Sequence, residues 1–283
     1  MAGRNGSQVR RRILARELRK LREAAGLTLE EAAPRLDFSD STLSRIENAQ
    51  QGANVHAVKS MLDLYDAGDR WEELLALARV AKQRGWWQAY GLGGGGASYV
   101  GFETEAGRVR DFTVSYVPGL LQTADYARAL FAAGMVWDSG QALENAVAVR
   151  TIRQERLTDS ENPLHLEAII DEAALRRPVG GPAVHRAQLE HLLRAVELPT
   201  VTLQVLPTRV GAHPALASPF TLLSFGDLGE PDIAYVEHTL GAVTFDKEPD
   251  VARARLFFDR LRAEALGLAD SAALVRGVLD GSG

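Results

Sequence analysis

Two helix-start signals eleven residues apart constrain the first third of this chain more than any other feature. Thr28, with Glu31 three residues on, makes a capping-box pattern ahead of the apolar positions Leu29, Ala32, Ala33 and Leu36. Ser39 follows the short turn "DFS" as a second N-cap. Pro34 shortens the helix between them, since proline in a helix interior removes a backbone donor and clashes with the preceding turn, at a cost of about 3 kcal/mol. The expectation is a kinked or early-ending helix, a tight turn, and a second short helix over "SDSTLSRIENAQ". Leu43 and Ile46 are the only deep anchors of that second helix, which leaves Asp40, Ser41, Thr42, Ser44, Arg45 and Asn48 facing outward.

The flanking sequence supplies three more helices. Leu14, Leu18, Leu21 and Ala25 form one apolar stripe at helical spacing, closed by Gly26 where a left-handed residue would sit. Val55, Val58, Leu62 and Tyr65 define a fourth helix, and Asp69 with Glu72 reads as a capping box opening a fifth along Trp71, Leu74, Leu75 and Ala78. Two short helices joined by a tight turn, inside a five-helix bundle under a basic first helix, make the helix-turn-helix arrangement, whose second helix enters the major groove of double-stranded DNA. Ser39, Asp40, Ser41, Thr42, Ser44 and Arg45 are then the candidate DNA contacts. The hydroxyls suit bases or phosphates, and Arg45 suits either a guanine edge or a phosphate. Asp40 is favoured by the helix dipole but repelled by phosphates unless it accepts from a cytosine amino group. Arg11, Arg12 and Arg16 of the first helix would grip phosphates.

Charge divides the chain in the same way. The whole carries −5, but residues 1–90 hold 15 basic against 12 acidic side chains (+3), and residues 91–283 hold 17 against 25 (−8). The first 26 residues are steeper still, with eight basic residues from Arg4 to Arg22 against Glu17 and Glu23. At 283 residues and 46% hydrophobic, the chain has material for more than one packed domain. It has no cysteine, hence no disulfide framework, thiolate metal site or cysteine nucleophile, which fits a reducing compartment. The apolar runs are too short to span a bilayer, and the arginine-rich start leads into an amphipathic helix, so a cytoplasmic, nucleoid-associated protein without a membrane partner is expected.

The expected fold is α+β overall, with an all-α five-helix domain over 1–84, a Trp- and Gly-rich linker over 85–98 and a mixed α+β sensor or dimerisation domain over 99–283. The linker string "GWWQAYGLGGGGASY" contains Gly91, Gly93 and Gly96 in GxGxxG order, with Asp111 twenty residues after the first. The residues before it are aromatic and polar rather than a buried strand, and no βαβ unit is legible, so it reads as a flexible linker and not a dinucleotide site. Further on, "YVPGLLQTADYARALF" reads as an extended segment broken by Pro118 and Gly119, then a helix capped at Thr123. "HLEAIIDEAAL", "VTLQVLP", "FTLLSF", "IAYVEH" and "VTFD" are β-like runs, and helices at about 182–196 and 247–266 cover them.

No catalytic or metal-binding pattern emerges in that second half, and no cofactor is expected. Glu103, Glu105, Glu167, Asp171, Glu172, His165, His213 and His238 are chemistry-bearing types without the spacing that assigns acid and base roles. His185 and His191, six apart on one helix, point in nearly opposite directions and cannot share a metal. Candidate contacts to a small-molecule effector or small partner protein are Trp86, Trp87, Tyr116, Gln122, Arg150 and Arg153, as aromatic walls and guanidinium forks. The alternative for each is internal: core or interdomain packing for the tryptophans, ion pairing for the arginines, a rigid packed turn for "YVPGLLQT".

The string "LRKLREAAGLTLEEAAPRLDFSDSTLSRIENAQQG" resembles the Xre-type helix-turn-helix of bacterial repressors, "LSRIE" (Leu43 to Glu47) being its most diagnostic piece. Pro34 and Asp40 depart from that pattern, so no base preference carries over. The second half, through "VPGLLQTADYARAL", "RQERL", "EAIIDEAALRRPVGG" and "QVLP", resembles the C-terminal domain of a large actinomycete regulator family often labelled antitoxin-like. The resemblance implies a transcriptional regulator, usually a homodimer reading two half-sites, with a C-terminal domain of uncharacterised activity. Members often act with a small protein encoded nearby, which leaves an antitoxin-like binder of such a partner as the alternative.

Overall fold

The computed structural model describes residues 7–92, 94–134 and 139–281; Arg4 of the basic start and Gly93 of the glycine string lie outside them. The chain divides into two compact units, the first reaching to Gln88 and taking in Val100–Glu105, the second holding Ala89–Tyr99 and the rest.

The first unit is built of α1 (Gln8–Ala24), α2 (Leu29–Arg35), α3 (Asp40–Glu47), α4 (Val55–Leu64) and α5 (Trp71–Ala81). Their apolar stripes meet in one core of Leu14, Leu18, Ala32, Leu43, Ile46, Val58, Met61, Leu62 and Leu74, each buried. Thr28 and Glu31 close the expected capping box on α2, and Ser39 accepts from the Thr42 N–H at 3.2 Å to start α3. Pro34 stands in the last turn of α2, which ends one residue later at Arg35. Gly26 ends α1 with φ +72°, a conformation that glycine adopts without Cβ strain. The Asp69–Glu72 capping box is absent: residues Gly68–Arg70 form a 3₁₀ turn and α5 starts at Trp71 with no side-chain cap. Arg70 determines that start, bonding Glu73 through Nε at 2.6 Å and reaching Glu17 on α1 at 3.4 Å.

The expected linker is not an unstructured tether. Trp86–Tyr90 is a 3₁₀ helix and Gly94–Glu105 is α6, even though three glycines open it. Packing overrides propensity here, because Val100, Phe102, Glu103 and Thr104 are buried and Glu105 accepts from Arg10 Nε at 2.8 Å and the Val9 N–H at 3.1 Å. Burial pushes the Glu105 carboxyl up, against the lowering effect of Arg10. Trp87 lies so close over Gly85 that a Cβ there would overlap its indole ring.

The second unit is a six-stranded mixed sheet in the order β3-β2-β1-β4-β5-β6. β1 (Arg108–Thr113), β2 (His165–Asp171) and β3 (Val201–Leu206) run parallel; β4 (Phe220–Ser224), β5 (Ile233–His238) and β6 (Gly241–Phe245) add antiparallel beyond β1. The crossover from β1 to β2 carries α7 (Ala124–Gly134) and α8 (Gly140–Gln154), and that from β2 to β3 carries α9 (Glu172–Leu175) and α10 (Pro182–Ala195). Two βαβ crossovers therefore exist; the first was hidden in the sequence because β1 was not legible as a strand, while the elements of the second were read but not joined as parallel neighbours. The glycine string still fails the dinucleotide fingerprint: a 3₁₀ helix precedes it, not a strand. One sheet face packs Phe112, Ile169, Phe220, Leu222 and Ala234 against Val251, Phe258 and Leu261 of α11 (Glu248–Glu264), and α12 (Leu268–Leu279) follows. The described residues contain no helix long and apolar enough to cross a membrane.

Candidate nucleic-acid interface

The helix-turn-helix is held in shape from inside. Asp37 takes φ 57° and lets the Phe38 N–H return to the Ala33 carbonyl at 2.9 Å, which ends α2 and aims the chain into α3. Leu43 and Ile46 face the core, and Glu47 beside them is buried. Glu47 receives a two-pronged bond from Arg22 of α1, Nε and Nη2 each at 2.8 Å from one carboxylate oxygen, and Arg22 also reaches the Leu27 carbonyl at 2.6 Å. Two charges at 8% and 3% side-chain exposure are tolerated because every fork of the guanidinium meets an oxygen. Arg22 is thus a structural cation, not part of the basic surface its position in α1 suggested.

What remains of α3 is its outward side. Ser41, Ser44, Arg45 and Asn48 stand at i, i+3, i+4 and i+7, so they share one face. Ser41, Arg45 and Asn48 are exposed and Ser44 is half-buried. Asn48 donates to the Ser44 carbonyl at 2.8 Å and to its hydroxyl at 3.3 Å. Ser39 and Thr42 are engaged at the helix start: Ser39 Oγ lies 3.0 Å from Ser41 Oγ and 2.9 Å from Thr42 Oγ1, and Arg45 Nη2 approaches Thr42 Oγ1 at 3.4 Å. Thr42 is half-buried and belongs to this capping cluster more than to the outer face. Asp40 is exposed to one side. The sequence placed Asn48 outside but not among the contacts; its amide, at the end of the Ser41–Arg45 face, has the chemistry to read adenine.

The three candidate arginines of α1, Arg11, Arg12 and Arg16, separate. Arg11 places Nε against the Gly52 position, in the loop after α3, with no hydrogen-bond partner for that atom among the described residues. Arg16 lies 3.9 Å from Glu17. Arg12 stacks over the Phe102 ring at 5.9 Å. Arg11 is therefore the one brought toward the end of α3, whereas Arg12 is committed to packing against α6.

The effector candidates divide between the two units, Trp86 and Trp87 in the first and Tyr116, Gln122, Arg150 and Arg153 in the second. Trp86 and Trp87 meet edge to face at 6.1 Å within the first unit, and Trp86 Nε1 donates to Thr104 Oγ1 at 3.2 Å. In the second unit the stretch Val117–Thr123 is laced from within. Gln122, at 1% exposure, donates to the Val117 carbonyl at 2.6 Å and accepts from Arg150 at 2.8 Å. Gln154 donates to the carbonyls of Gly119 and Gln122, and Gln188 donates to the Leu121 carbonyl and accepts from the Thr123 N–H, both at 2.7 Å. Gln122 serves as an internal clamp, with both ends of its amide hydrogen-bonded inside the unit. Arg150 also stacks on Phe131 at 4.6 Å, and Arg153 stacks on Tyr99 at 5.0 Å. Tyr116 is half-buried, its phenol pushed up to about 12 by burial, with Glu237 and Asp111 adding to the shift. Two grooves of about 620 and 310 Å³, one beside Leu21, Tyr65 and Arg70, the other beside His185, Leu189 and Val278, include none of these six residues.

The carboxylates of the second unit have structural duties as well. Glu172 accepts from Arg176 and from the Thr208 N–H at 2.9 Å, Asp171 caps α9, and Glu167 pairs with Arg108 at 3.3 Å. No group of three His, Cys, Asp or Glu among the described residues could hold a metal ion.

A helix-turn-helix domain model matches residues 13–77, so the first unit belongs to a class of domain that binds DNA. A second model, "Domain of unknown function (DUF5753)", matches residues 97–277, and the chain belongs to that family. The chain has no match among curated proteins or among solved structures.

Proposed function

We propose that this protein is a sequence-specific transcriptional regulator of the Xre type, working as a homodimer on two operator half-sites, with the second unit receiving a small-molecule or protein signal. It acts by binding alone, without catalysis, on DNA in the cytoplasm. The observation that carries the reading is the outward face of α3: Ser41, Ser44, Arg45 and Asn48 on one side, while Leu43, Ile46 and Glu47 fix the other. A helix end so pinned can present base-reading groups at a fixed depth in the major groove. The actinomycete and antitoxin-like assignments rest on the resemblance of the second half's motifs.

The test is binding to fragments of the gene's own upstream region at two salt concentrations, with Arg45→Ala in parallel. Binding that survives the higher salt and weakens in the variant by about 1–3 kcal/mol at one base position marks Arg45 as a reader of guanine. Uniform weakening across sequences, with a smaller salt slope, marks it as a phosphate contact. Binding by the wild-type protein that the higher salt erases on every fragment overturns the reading.

A further inference from the structure

The two edges of the sheet are treated differently. At the β3 edge the chain folds back and uses the free backbone: the Val205 N–H donates to Ser271 Oγ at 3.0 Å, the Leu266 N–H donates to the Val205 carbonyl at 2.9 Å, and Gln204 reaches the Leu266 carbonyl at 2.9 Å. At the other edge, β6 pairs with β5 alone, and no backbone hydrogen bond from any other described segment reaches Gly241–Phe245. Natural edges are guarded by charge, proline, bulges or cover. This one has none of these: Thr239 to Phe245 is an uncharged run without proline. Its apolar side chains are open to solvent, Leu240 at 92%, Val243 at 44% and Phe245 at 37%.

From these observations we infer that β6 is the dimer interface, pairing antiparallel with β6 of a second copy about a two-fold axis to make one continuous sheet. The inference rests on the dimeric reading above, though its test does not use DNA. A second copy fits this edge because the strand is neutral and complementary to itself. Residues 91–283 carry −8, the difference of 17 basic and 25 acidic side chains, so two copies repel over most of this half and can approach where it is neutral. Identical strands meeting antiparallel close on themselves and leave no further edge. With Thr244 on the axis, each Phe245 lies opposite the other copy's Val243 on one face. Asp246 and Lys247 then fall opposite the neutral Ala242 and Gly241, and no like charges meet.

Sedimentation of the full chain tests this. The wild type should run at about twice 30.7 kDa, and Val243→Lys, which places a charge on the exposed edge, should raise the dimer dissociation constant by about tenfold or more with an unchanged circular dichroism spectrum. Because the chain has no cysteine, Thr244→Cys supplies a unique thiol that should give a disulfide-linked dimer on mild oxidation, while Leu216→Cys, also exposed, should not. A wild-type monomer, a dimer that Val243→Lys leaves intact, or equal cross-linking at both cysteines overturns the inference. A β6 dimer that fails to bind DNA removes the regulator reading and leaves the interface standing.

Discussion

The helical unit and the sheet unit place their polar side chains in opposite ways. In the helical unit polarity on α3 points outward, and the one buried charged pair described there, Arg22 with Glu47, serves to hold that outward face still. In the sheet unit, Gln122, Gln154 and Gln188 lace a turn, Thr221 Oγ1 donates to the buried Asp111 at 3.0 Å, and Ser271 closes an edge. Polar groups on an exposed face can exchange their local bonds for those of a partner, whereas polar groups that satisfy each other inside specify a fold. The difference is the ground on which the proposed function assigns recognition to α3. The "YVPGLLQT" turn is held by its own polar groups.

Breaking the internal pair should have the largest effect. Glu47→Ala leaves a guanidinium buried without its carboxylate, and the helical unit should lose about 3–5 kcal/mol of stability, measured by denaturant titration. DNA binding should fall with it, since α3 loses its attachment to α1. A change below about 1 kcal/mol would mean that water or Glu23 takes over the pairing, and the contrast between the units would weaken.

The matching change in the sheet unit is Gln188→Ala, at a residue with no exposure. It strands the Leu121 carbonyl and the Thr123 N–H, and should cost about 2–3 kcal/mol, with DNA affinity unchanged under conditions where the protein stays folded. Loss of DNA affinity in a folded variant would show that the turn communicates with α3. Arg45→Ala should do the reverse: about 1–3 kcal/mol lost from operator binding, and a melting temperature within about 1 °C of wild type, because the side chain is exposed and makes only a long bond to Thr42.

Legibility in the sequence followed the range of the interactions. The Thr28 and Ser39 caps, the Gly26 ending and the two anchors of α3 are set by residues within about one helical turn, and the structure has them where the pattern places them. Arg22 and Glu47 are 25 residues apart, so their pairing left no local signal and Arg22 read as a surface cation. β1 failed for a related reason. Asp111 interrupts its apolar alternation, and that carboxylate is held inside the sheet with a donor from Thr221, 110 residues on. Gln122 and Gln188 were likewise invisible as clamps, since the carbonyls they serve become a site only once α8 and α10 have packed.

The smallest effect concerns how α3 ends. Gly26 lets α1 terminate in the left-handed region freely, but α3 ends with Ala49 at φ 58°, followed by the Gln50 N–H returning to the Arg45 carbonyl at 2.8 Å. Alanine in that region carries Cβ strain that glycine lacks, and the gain on replacement is reduced by the greater freedom of glycine in the unfolded chain. Ala49→Gly should therefore stabilise the helical unit by about 0.5–1 kcal/mol in denaturant titration. Ala49 is one residue beyond Asn48, so operator affinity is the informative companion measurement. If stability rises and affinity holds, the recognition face depends on the internal pair with Arg22 and not on strain at its end. If stability rises while affinity falls, the strained ending is part of how α3 is aimed, and the helical unit holds its outward face from both ends.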